Sequence, residues 1–212
     1  MDPEHGVKDA EYNPPRLVLA SRSPRRRQLL TEAGFAFTVS PRSVDDGGLL
    51  SGLVNPEQWV MALAYLKAVG GSDANLTDTV VLGADTICIG PEGQLIGQPR
   101  DAAHAEEILR LFVGVPHSVV TGVALVDPAS NRREMFSDGA SVTWGQVSDA
   151  QIAEYVASGQ WRGKAGAYNL RERLEAGWPI EFTGDPTAIM GLPMVQLADR
   201  LPAWGIVPGV AA

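Results

Sequence analysis

The sequence predicts an α/β fold in which a mixed β-sheet is flanked by helices. Three observations carry this. Apolar strand-like runs alternate with capped helical segments along most of the chain. Several of the connections, residues 90–93 and 127–131 among them, are long enough only for a hairpin, so the sheet is not purely parallel. The most apolar run, residues 79–90, reads as a strand buried on both faces.

Taken in order, residues 1–15 read as a loosely packed leader ending in Pro14 and Pro15. Residues 17–20 form a short buried strand. Ser23 and Pro24 then open a helix as cap and first-turn proline, and Gly34 suits its far end. Arg16, Arg22, Arg25, Arg26 and Arg27 crowd into a stretch with no acid between Glu11 and Glu32, in a chain of net charge −8. Cations at a helix N-terminus oppose its dipole. Three of them in the first turn, beside serine hydroxyls, favour a phosphate or carboxylate ligand over a merely solvated helix start. The glycine spacing is not that of a Walker loop or a dinucleotide fingerprint.

Residues 35–39 alternate as a second strand, and residues 41–48 form a loop in which Asp45 and Asp46 are read first as turn formers. Asn55, Pro56 and Glu57 start a second helix that should stop at Gly70 and Gly71. Val60, Leu63, Ala64 and Lys67 fall on one stripe of it, so Lys67 either snorkels or projects an ammonium from the core side into a cleft. Asp85 sits in the middle of the apolar run 79–90. A carboxylate there is costly unless it is hydrogen-bonded or does chemistry, which marks it as functional. Gly83 signals a bulge or a close backbone approach.

Asp101 caps a helix to Phe112 with Ala105, Ile108, Leu109 and Phe112 inward; His104 and His117 read as structural. Residues 132–136 and 140–144 are expected to pair antiparallel with each other. Ser148 opens a capping box for a helix ending at Gly159, residues 178–182 form a strand, and residues 193–201 a closing helix.

The composition excludes several classes. With 45% hydrophobic residues and 20% charged ones, 212 residues can build a real core. The net charge of −8 argues against a nucleic-acid partner, which wants a broad basic face. The single Cys88 leaves no internal disulfide, and no Cys/His cluster suggests zinc. No signal-like or membrane-spanning run is present, so no membrane is expected and the cytoplasm is the expected location.

Several segments in this order resemble the Maf family of nucleotide pyrophosphatases, across residues 17–201. They are residues 19–30 (Leu-Ala-Ser-Arg-Ser-Pro-Arg-Arg-Arg-Gln-Leu-Leu), Leu82-Gly-Ala-Asp-Thr86, Pro99-Arg-Asp101, Val119-Val-Thr-Gly-Val123, Tyr155-Val-Ala-Ser-Gly159, Lys164-Ala-Gly-Ala-Tyr168 and Gly191-Leu-Pro193. The resemblance implies an elongated domain, residues 16–204, of two lobes facing a central cleft, with a short tail at 205–212. It implies hydrolysis of nucleoside triphosphates, often modified ones, to monophosphate and pyrophosphate with a divalent metal, Mg²⁺ or alternatively Mn²⁺. Relatives of this kind are often homodimers.

Residue by residue, the resemblance makes Asp85 the proton acceptor and a metal ligand, with Asp46 as a second metal ligand where the family usually has Glu. Arg25 and Arg26 match the phosphate-binding pair, with Ser21 beside them. Lys67 and Lys164 match family lysines, and Thr86 matches a position linked to base selection. Two departures stand out. Gln98 replaces a family lysine in Gly97-Gln98-Pro99, and Asn169-Leu170-Arg171 replaces Gly-Ile-Gln, so Arg171 presents only donors where Gln offers both a donor and an acceptor. Pyrimidine specificity is therefore not carried across. The rival expectations are a non-catalytic nucleotide-binding regulator of cell division, favoured by Gln98, and a phosphatase acting on another phosphate ester.

Overall fold

A computed structural model describes residues 14–42, 54–73 and 77–209. Its strands are β1 (Arg16–Leu19), β2 (Thr38–Val39), β3 (Thr79–Ile89), β4 (Leu95–Ile96), β5 (His117–Val126), β6 (Arg133–Trp144) and β7 (Ile180–Gly184). They form one seven-stranded sheet in the order β2-β1-β3-β5-β6-β7, with β4 added to β3. β1 runs parallel to β2 and β3, and the remaining pairings are antiparallel. The sheet is therefore mixed, as expected. The helices are α1 (Pro24–Glu32), α2 (Pro56–Gly71), α3 (Ala102–Phe112), α4 (Asp149–Ser158), α5 (Leu170–Glu175), α6 (Pro186–Ile189) and α7 (Met194–Arg200). None among the described residues is long and apolar enough to cross a membrane.

The two faces of the sheet are built differently. On one face α2 lies directly on β3 and β5. Gly83 and Gly122 make that possible: a Cβ on Gly83 would stand 2.1 Å from the Ala64 carbonyl oxygen, and one on Gly122 2.4 Å from the Val60 carbonyl carbon. Gly83 thus marks a close helix approach and no bulge, since β3 and β5 stay in register through it. Small residues complete the contact: Ala64 and Ala68 of α2 with Ala20, Val81 and Ala124. Val60, Ile87 and Val120 form a second small cluster, and most of the other buried apolar residues fall into two larger ones. Leu19, Leu30, Leu82, Leu125 and Trp204 anchor one, and Phe112, Trp144, Tyr155, Tyr168 and Trp178 the other. Met190 packs against both.

α2 ends at Gly71, at its glycine pair as expected, and the bare Cα of Gly71 admits Ala20. Three details differ from the sequence reading. Residues 132–136 and 140–144 are not partners; they belong to the single strand β6, because the period-two burial of Phe136, Ala140, Val142 and Trp144 runs unbroken across Asp138 and Gly139. Phe35 and Trp178 are not strand starts. Each follows a glycine at positive φ, Gly34 and Gly177, and its N–H closes a helix end on Leu30 O and Arg173 O. Finally, Ser23 occupies the N-cap of α1 but its side chain makes no cap bond; its N–H donates to Ser21 Oγ instead.

Candidate active site

The site lies where the sheet has a gap. β1 pairs with β3 as far as Leu82, and β4 joins only at Cys88. Among the described residues no strand covers that edge of β3 in between, and Asp85 and Thr86 sit there. The side chains of neighbouring strand residues point to opposite faces, and at the open edge both reach the same cavity. The C-terminal end of β1 feeds the turn into α1 beside this gap, the location where open α/β sheets place their ligands.

Two adjoining cavities, about 80 and about 470 Å³, share Ser23, Arg25, Arg26, Lys67, Gln98 and Gly163 in their walls. The smaller also reaches Asp85, Thr86, Tyr168 and Gly191. The larger takes in Ser21, Arg22, Arg42, Arg162, Lys164 and Glu172.

Several of the charged groups are held by specific partners. α2, seated on its glycines, brings Lys67 Nζ to 2.5 Å from Asp85 Oδ1, with both side chains mostly buried. Lys67 therefore projects into the cleft. Arg26 donates from Nε to Gly191 O (2.7 Å), from Nη1 to Ser21 Oγ (3.0 Å) and from Nη2 to Thr86 Oγ1 (3.1 Å). Thr86 and Thr121 hydroxyls lie 2.8 Å apart, and Thr121 donates to Ala188 O at 2.7 Å. An arginine can only donate and a carbonyl only accept. The chain of bonds is therefore polarised from Arg26 through Thr86 and Thr121 to Ala188. Arg25 Nη2 donates to Gly163 O at 3.0 Å. Burial pulls the Arg25 guanidinium below its ordinary pKa, against the opposing pull of Glu172. Lys164 is buried and ion-paired to Glu172; burial lowers its pKa and Glu172 counters this.

The structure thus brings together Ser21, Arg25, Arg26, Lys67, Asp85, Thr86 and Lys164. Asp46 lies outside the described residues. Arg171 is not in either cavity wall; it forks onto both carboxylate oxygens of Glu32 at 2.7 and 2.9 Å on the surface. Its hydrogen bonds, with one from Gln28, hold the Glu32 carboxyl at about 2 against an ordinary value of 4.5. Depressed carboxylate pKa values contribute stability above the unfolded value, and that contribution is lost as pH falls from 4.5 towards 2. We expect Arg171→Ala to raise the Glu32 midpoint, read by NMR titration of the carboxyl carbon, and to lower the melting temperature at pH 7 only slightly, because solvent screens an exposed pair.

Residues missed by the sequence reading are Glu172, Tyr168, Arg42 and Arg162. Tyr168 had a usable signal, since it closes the Lys164–Tyr168 motif. Its hydroxyl lies 2.9 Å from His117 Nε2. His117 stacks on Phe112 with ring centroids 3.8 Å apart, and burial lowers its pKa to about 4. It is the structural histidine expected. Among the described residues no cluster of three or more His, Cys, Asp or Glu side chains is placed to hold a metal. The one described acid in the wall beside the β3 gap is Asp85.

The chain is similar to known proteins along most of its length. The chain is 38% identical to a dTTP/UTP pyrophosphatase of Pelotomaculum thermopropionicum over 89% of its own length and 96% of that protein. It is 39% identical to one of Moorella thermoacetica over 90% of its length and 96% of the relative. It is 41% identical to one of Rhodopirellula baltica over 89% and 82% respectively. A family model described as Maf-like protein matches residues 16–204, which contain the β3 gap and every described residue of the two cavity walls, and the chain belongs to the Maf family.

Proposed function

We propose that this chain hydrolyses nucleoside triphosphates to the monophosphate and pyrophosphate. The observation that carries the reading is the placement of one carboxylate, Asp85, at the open edge of β3 opposite a wall of arginines and lysines that fits a polyphosphate. The relatives' name, dTTP/UTP pyrophosphatase, supports the same reaction class.

In this reading Arg25, Lys67 and the α1 N-terminus bind the phosphates and offset charge that builds on the leaving pyrophosphate. Arg26, tied to three acceptors, keeps the wall in shape. Lys67 orients the Asp85 carboxylate, which accepts a proton from the water attacking the α-phosphorus. Mg²⁺ or Mn²⁺ fits this site, because such ions are held by one or two carboxylates with substrate phosphates and water completing the shell; Asp85 offers one such oxygen and Asp46 is the second candidate. A bound ion would supply Lewis-acid polarisation of the phosphate. The work of the protein's own residues is positioning and charge compensation.

The test is a product assay with a panel of natural and modified nucleoside triphosphates, dTTP and UTP included, with Mg²⁺, with Mn²⁺ and with chelator. Equimolar monophosphate and pyrophosphate is the expected result. Orthophosphate as the first product would point to another phosphate-ester hydrolase. Nucleotide binding with no turnover would leave a binding protein, and would direct attention to Gln98, which lines both cavities where the family carries a cation.

A further inference from the structure

Glu172 has no place in the mechanism above, yet it stands in the wall of the larger cavity. Seven arginines and lysines line that cavity, and Glu172 is the only acid among its described lining residues. Its position is built. Asn169 caps α5 by accepting from the Glu172 N–H at 3.1 Å, which fixes where the side chain starts. The carboxylate then takes the buried Lys164 ammonium, and Arg25 lies close enough to interact with it electrostatically. The Glu172 side chain remains 40% exposed, so the charge faces the cavity.

A carboxylate facing a polyphosphate site repels the ligand and competes for its cations. A cleft that must release pyrophosphate needs such a counterweight, because seven cations, of which Lys67 and Arg42 have further acids in Asp85 and Asp73, would otherwise hold that product tightly. We propose that Glu172 sets the affinity of this cleft for pyrophosphate: by holding Lys164 and presenting a negative charge beside Arg25, it weakens polyphosphate binding and so permits product release. This rests on the reading of the cleft as a polyphosphate site and adds a residue that governs specificity for charge.

The experiment measures binding of inorganic pyrophosphate to the full chain by calorimetry, in chelator and at low salt, for wild type and Glu172→Gln. Glutamine keeps the side-chain length and an oxygen for Lys164. We expect about tenfold tighter binding by the variant, with the gap closing as salt is raised through 0.5 M. In turnover, the inhibition constant of pyrophosphate and the KM should fall with it, and kcat should fall where release limits the rate. Glu172→Asp, which keeps the charge, should stay within about twofold of wild type. Glu172→Met gives the same comparison if the glutamine variant does not fold.

Unchanged or weaker pyrophosphate binding by the neutral variants overturns the proposal, as does a gap that salt does not move. A loss of affinity seen only with Mg²⁺ present would make Glu172 a metal ligand and overturn it too. The two readings fail separately. Triphosphate hydrolysis with equal pyrophosphate affinities sinks this inference alone. Tighter binding by the variant with no hydrolysis of any triphosphate sinks the enzymatic reading alone.

Discussion

Replacing Asp85 with Asn should lower kcat for triphosphate hydrolysis roughly 10³-fold while leaving the fold and nucleotide binding in place. The substitution is nearly isosteric, and an amide oxygen can still accept from Lys67 Nζ at the position Asp85 Oδ1 now occupies. The change removes the negative charge and the proton acceptor and little else. β3 is held on one side by nine residue pairs with β5 and on the other by β1 up to Leu82, so a polar exchange at the open edge does not disturb the ladder. The check is pyrophosphate release alongside a melting curve and a nucleotide titration. Turnover within tenfold of wild type, in a folded variant, would remove Asp85 from the role of proton acceptor.

The second large effect is expected at a residue that carries no side chain at all. Gly83→Ala should cost about 3 kcal/mol, a fall of roughly 6–12 °C in melting temperature for a chain of this size. The new methyl would stand 2.1 Å from Ala64 O and 2.6 Å from Ala68 N, and both are helix backbone that cannot rotate away. α2 must then lift from the sheet. Lys67, one residue before Ala68, would move with it, so activity at a temperature where the variant is still folded should also drop, by about 10²-fold for a displacement near 1 Å. Gly97→Ala is the control, because nothing lies within 4 Å of its added carbon. A Gly83→Ala variant that melts like wild type would mean that α2 can reseat at little cost.

The sequence reading succeeded where one physical constraint dominated. The isolated acid in an apolar run picks out Asp85, which lines the smaller cavity, and arginines at the wrong end of a helix dipole pick out part of the cationic wall. The periodic stripe that placed Lys67 beside Val60, Leu63 and Ala64 left its direction open, and only the seating of α2 on Gly83 and Gly122 resolves it. Its errors share one cause. Phe35 and Trp178 look like strand starts because each is a large apolar residue after glycine, but a glycine at positive φ more directly closes the preceding helix. Gly139 looked like a turn, yet the alternation on either side of it was already in phase. Glu172 was not legible at all. One residue from Arg171 on a short helix, it faces the cavity while Arg171 faces Glu32, and that divergence depends on where Asn169 starts α5.

The polarised bond chain from Arg26 to Ala188, together with the bond from Arg26 to Gly191, has a consequence for biosynthesis. The acceptors that fix this arginine come from positions 21, 86 and 191, and Thr121 and Ala188 complete the relay. Emerging from a ribosome, α1 precedes Thr86 and Gly191, so Arg26 does not have all three of its acceptors until residue 191 has cleared the exit tunnel. The nascent chain therefore lacks the complete anchorage of Arg26 until close to the end of the family domain, after the last strand of the sheet has been made.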